Sequence, residues 1–139
     1  MTNKNLFIIL FAIFLVSCVK ETISDLTKNK ILLAGTGGVM STYRVWKLDS
    51  AIKNNQVLKL TTQQKLFKKK YFFNNTYTDT DLNEGIWDMI STNKLRQVIF
   101  LNNTKDTVEY DLISINSINL ILKESDKTNN IIYFFSISE

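Results

Sequence analysis

Histidine and proline are both absent from the 139 residues, cysteine occurs once, and glycine occurs four times. Each shortage excludes something. Without histidine the chain lacks the commonest general base and the commonest metal ligand. The serines therefore have no histidine partner, and any metal site would have to be built from carboxylates. A single cysteine forbids an intramolecular disulfide, so the fold must be held by its core. With no proline and few glycines, turn-making falls to asparagine, which tolerates left-handed backbone and bonds its own neighbouring amides. Four Asn-Asn pairs stand at 54–55, 74–75, 102–103 and 129–130, each between apolar or alternating runs. That placement predicts hairpin turns.

The lone cysteine has an informative address. Lys4 and Asn5 precede eleven uncharged apolar residues, Leu6 to Val16, and Ser17-Cys18 follows. Eleven helical residues span roughly 16 Å, about half a hydrocarbon core, which is too short to cross a membrane. A basic start, a short apolar stretch and small residues is the layout of a secretory signal peptide. Leu15-Val16-Ser17-Cys18 resembles a bacterial lipobox, in which the thiol takes diacylglycerol and the chain is cut before it. The expectation is a signal peptide over 1–17 and a lipid on Cys18. Acyl chains contribute about 0.8 kcal/mol per buried methylene, so several of them anchor stably. No aspartate follows Cys18, and Cys18-Val19-Lys20-Glu21 resembles an export signal of Bacteroidota lipoproteins. These features imply the outer membrane, at its periplasmic face or at the cell surface.

Past residue 40 the apolar pattern has period two. In "TVEYDLI" Val108, Tyr110 and Leu112 share one face, and in "SINLILK" Ile118, Leu120 and Leu122 do the same. Such alternation describes a strand with one buried and one wet face. Eight strands are predicted, at 42–52, 65–73, 76–81, 85–90, 95–101, 107–113, 117–123 and 131–138. An antiparallel up-and-down meander of that length removes its exposed edges by closing into a small barrel. The fold class is all-β, with a barrel domain over 35–139. Residues 18–34 form a lipidated tether and a short amphipathic helix within 22–34. Strands 95–101 and 131–138 are apolar on both faces, and Ile23, Leu26, Ile31 and Leu33 of that helix are expected to cover the outer one.

"ILLAG", "YRVWKLDS" and "GIWDMIS" carry a resemblance to the small lipocalin-like lipoproteins of Bacteroidota, with Trp46 and Gly85-x-Trp87 as the matching positions. The insertion "TGGVMSTYR" between Gly35 and Trp46 departs from that pattern. The resemblance implies a calycin-type barrel with a cavity for an apolar ligand.

Chemistry is sparse. Asp79 and Asp81 are the best carboxylate pair, yet two carboxylates without a loop of further oxygens make a poor calcium site, and a solvated strand face is expected. "GTGG" at 35–38 lacks the Gly-Lys-Ser/Thr ending of a phosphate loop. "KLFKKKYFF" mixes basic and aromatic residues, which suits a lysine-protected edge strand with Lys68 and Lys70 in water. No catalytic residue, cofactor, metal or nucleic-acid partner is expected. Two functions remain. One is a ligand-binding barrel walled by Trp46, Trp87, Tyr110 and Tyr133, residues that combine apolar area with a polar handle. The other is a structural or protein-interaction lipoprotein, a complex subunit or inhibitor, whose barrel is filled.

Overall fold

The computed structural model describes residues 23–38, 42–101, 104–125 and 130–138. The signal peptide, Cys18 and the Asn102-Asn103 pair lie outside the described residues. Nine strands follow a first helix: β1 (Tyr43–Lys53), β2 (Gln56–Val57), β3 (Lys68–Phe72), β4 (Thr76–Asp79), β5 (Glu84–Ser91), β6 (Lys94–Leu101), β7 (Thr104–Ile115), β8 (Asn119–Glu124) and β9 (Ile131–Ile137). β2 is a two-residue ribbon paired with the end of β1. The other eight run antiparallel in chain order, and β9 returns to pair with β1 from Trp46↔Ile137 to Lys53↔Ile131. The meander is a closed eight-stranded barrel. Closure gives each of these eight strands a partner on both sides, leaving the two-residue β2 as the one strand with a single neighbour among the described residues.

Asparagine makes two of the corners. Asn54 and Asn55 both take positive φ, 50° and 66°, in the two-residue β1–β2 turn, the type I′ geometry whose twist matches the flanking strands. Asn75, at φ 68°, closes the β3–β4 turn, where the Asn74 side chain accepts from the Thr76 amide. Between β1 and β3 the chain makes a single helical turn, α2 (Thr62–Lys65 in range), which is numbered after the longer α1 (Asp25–Ala34). A capping box holds α2: the Thr61 amide donates to Gln64 Oε1, and the Gln64 amide donates to Thr61 Oγ1. Residues 65–67, expected in a strand, therefore belong to this turn and its exit.

The strand phase follows the period-two pattern. Trp46 and Leu48, Trp87 and Met89, Leu95, Leu120 and Leu122 all point into the barrel and are buried. Ile118 does not join them; it stands in the bend before β8 and is exposed. In β7 the pairing slips between Leu112 and Ser114, so Ile113 faces water and Ile115 packs on the core. A bulge of this kind re-aims every side chain beyond it. Gly85 is required by packing. A Cβ there would lie 2.0 Å from the Val98 carbonyl oxygen and 2.7 Å from the Tyr77 ring.

α1 begins at Ser24, whose hydroxyl accepts from the Thr27 amide, and ends at Gly35, whose amide donates to the Ile31 carbonyl and whose positive φ turns the chain out of the helix. It does not lie over the outer faces of β6 and β9. Its buried residues are Leu33 and Ala34, at its C-terminal end, and it packs against β1, β3, β5 and β7. These strands are spread over most of the ring, so the helix stops one end of the barrel. The Trp46 indole nitrogen donates to the Leu33 carbonyl at 2.8 Å, and Lys30 and Asn29 reach Asp88 and the Thr92 carbonyl. A helix offering two adjacent buried residues at its tip can plug a hole; it lacks the long apolar stripe needed to cover a face. Among the described residues no helix is long and apolar enough to cross a membrane.

Candidate functional site

Among the described residues no helix closes the opposite end, where β3 begins, β4 ends, and β8 and β9 come together. A cavity of about 230 Å³ opens there, walled by Leu48, Phe67, Ile99 and Phe135 and by the polar groups Lys69, Asp79, Asp81, Asn83, Tyr110 and Tyr133. A groove of about 410 Å³ beneath α2 adjoins it and shares Leu48, Phe67 and Asp81 as wall.

Lys69 sits on β3 between Phe67 and Tyr71, so the period-two rule sends its side chain inward with theirs. The residue is only 8% exposed. Its ammonium donates to Gln97 Oε1 at 2.9 Å and to the Tyr110 hydroxyl at 3.1 Å, and it lies 4.7 Å from the centre of the Tyr110 ring. Gln97, fully buried, passes the network on by donating from Nε2 to the Tyr71 hydroxyl at 2.5 Å. Both of the ammonium's hydrogen-bond partners are neutral. Burial lowers its pKa to about 8, and the Asp79 and Glu124 charges oppose that shift.

The neighbouring carboxylates are already engaged. Asp79 Oδ1 accepts from the Asp81 and Asn83 amides, and both of its oxygens accept from Asn83 Nδ2. This is a turn-building aspartate, and Asp81 lies beyond the end of β4 rather than beside it on one strand face. Among the described residues no group of three or more carboxylate, histidine or cysteine side chains could hold a metal ion. Glu124 Oε2 accepts from the Tyr133 hydroxyl at 3.3 Å. Burial raises the phenolic pKa of Tyr71, Tyr77, Tyr110 and Tyr133. The rings themselves form a ladder up the wall, Tyr110 against Tyr133 at 6.4 Å and Tyr133 against Phe135 at 6.3 Å.

The four aromatic candidates divide into two pairs. Tyr110 and Tyr133 line the cavity together. Trp46 and Trp87 lie toward the plugged end, where the Trp87 indole donates to the Phe72 carbonyl at 3.0 Å and its ring meets Tyr71 edge-on. Lys69 was not singled out by sequence, although placing Lys68 and Lys70 in water already turns Lys69 inward. β3 is no edge strand, and Lys70 instead rests over the Tyr43 ring at 3.6 Å. Ser91 and Lys94 have the spacing of a serine–lysine pair, but Ser91 bonds Asn93 in the β5–β6 turn and Lys94 lies within 4 Å of Glu109 and Asp111.

No protein-family model, curated protein or solved structure matches the chain.

Proposed function

We propose that this chain is a lipid-anchored lipoprotein of the bacterial outer membrane whose lipocalin-like barrel binds a small, largely apolar ligand at its open end. The carrying observation is the cavity at that end. A filled barrel would close both ends with side chains, whereas here a helix closes one and a cavity with a buried cation occupies the other. The volume suits a small molecule: an apolar cavity of roughly 150 Å³ is enough for benzene. The proposed activity is binding.

The test is retention of a molecule through purification from the native membrane. Ile99→Trp places a large ring in the cavity while keeping an apolar wall. A small molecule released on denaturing the wild type and missing from the Ile99→Trp variant supports ligand binding. Equal yields from both, or none from either, count against it.

A protein-interaction role has one specific observation in its favour. Ile86 and Phe100 stand on the outer wall, each roughly half exposed, and α1 does not cover them.

A further inference from the structure

We infer that the ligand carries a carboxylate, which docks on the Lys69 ammonium and the Tyr110 hydroxyl at the cavity floor while an apolar body lies against Leu48, Phe67, Ile99 and Phe135. This rests on the ligand-binding reading and specifies its chemistry.

The argument counts donors. An ammonium has three N–H groups. Two are spent on Gln97 and Tyr110, and the third has no acceptor among the described residues. Tyr110 accepts that second bond, and its own hydroxyl proton is likewise without an acceptor there. These two unspent donors belong to groups 3.1 Å apart, and both residues line the cavity. A carboxylate offers two oxygens at a similar spacing, and charge-assisted bonds to it are shorter and stronger than neutral ones. The nearby carboxylates bond elsewhere, Asp79 to the Asn83 amide groups and Glu124 through Oε2 to the Tyr133 hydroxyl. No ion pair to Lys69 within 4.0 Å is present among the described residues. Asp79 and Glu124 favour the ammonium only from beyond ion-pair distance, and an arriving carboxylate would supply the direct partner. Leu48, Phe67, Ile99 and Phe135 form an apolar side of the cavity that an anion alone would leave unfilled, while Asp79, Asp81 and Asn83 stand on the other side, where the two carboxylates disfavour a bare anion.

The pH behaviour follows from the same groups. The titratable residues around Lys69 are Tyr71 on its own strand, Tyr77 and Asp79 on β4, Asp81 in the next turn, Tyr110 on β7, Glu124 on β8 and Tyr133 on β9. The four tyrosines are raised and so stay protonated through pH 9. Only the ammonium loses its proton near pH 8.

Titration of the full-length chain in nanodiscs, against empty nanodiscs, with hydrocinnamate, its alcohol and acetate decides the matter. Hydrocinnamate is expected to bind about tenfold more tightly than the alcohol at pH 7. Its affinity should fall toward that of the alcohol, by about tenfold in all, as the ammonium loses its proton, with the alcohol unaffected. Lys69→Met should abolish the preference and keep alcohol binding. If that variant fails to fold, Tyr110→Phe, which removes only a hydroxyl, should reduce the preference several-fold. Acetate should not displace hydrocinnamate at matched concentration. Equal affinity for acid and alcohol would overturn the carboxylate and leave the cavity reading standing. Displacement by acetate would overturn the amphiphile in favour of a bare anion site. Binding of neither aromatic probe would overturn both readings.

Discussion

Lys69 sets how the folded molecule responds to alkali. Its folded pKa is about 8 against an ordinary 10.5, so between those values the unfolded chain holds a proton that the folded chain has released. Stability therefore rises with pH across that window, by on the order of 3 kcal/mol if the whole shift is realised. The buried tyrosines act in the opposite sense. Their raised pKa values mean that the unfolded chain gives up phenolic protons first above about pH 10, and stability falls there. Urea unfolding from pH 7 to 11 should show a maximum near pH 10, and Lys69→Met should remove the rising limb. A flat profile up to pH 10 would mean that Lys69 is not buried as a titrating amine. Gly85 is tested by addition of one methyl group. Gly85→Ala drives Cβ into the Val98 carbonyl on the neighbouring strand, and overpacking of this kind costs about 1–3 kcal/mol or more. Chemical denaturation measures it, and a change near zero would show that β5 and β6 can move apart freely.

At the scale of elements, the sequence revealed strands better than it revealed how the helix meets them. Alternation located strands such as β7 and β8 because one face of each is buried in the barrel and the other is wet, whereas β6 and β9 stood out as apolar runs between turn residues. On β6, apolar on both faces in sequence, only the structure shows that Leu95, Gln97 and Ile99 point inward and Val98 and Phe100 outward. Lys69 could be read from the same rule, since it shares a face with Phe67 and Tyr71, but a lysine in a basic run looks like a solvated residue. The β7 bulge leaves no compositional mark. The position of α1 was not legible because Ile23, Leu26, Ile31 and Leu33 suggest a stripe, whereas burial is concentrated at Leu33 and Ala34. Only the three-dimensional closure of the barrel creates the hole that those two residues fill. Leu33→Ala should thus cost about 2–5 kcal/mol, as a fully buried leucine does. It should also shift tryptophan emission to the red as water reaches Trp46, whose indole bonds the Leu33 carbonyl. Loss of stability without a spectral change would place the damage elsewhere than at the plug.

On the scale of the whole molecule, plug and mouth give the barrel a direction. The chain enters through α1 at the plugged end, so a lipid on Cys18 would tether the molecule from the N-terminal side of that helix. Cys18→Ser should abolish palmitate labelling and leave the leader uncleaved; persistent labelling would contradict the anchor. The central claim concerns the other end. A crystal structure of the protein isolated from its own membranes would test it most directly. The account predicts connected density for one small molecule in the open-end cavity, with an oxygen-bearing group beside Lys69 Nζ and the Tyr110 hydroxyl and an apolar body against Phe67 and Phe135. A cavity collapsed by its own side chains, or a carboxylate of this chain turned inward to pair with Lys69, would contradict it.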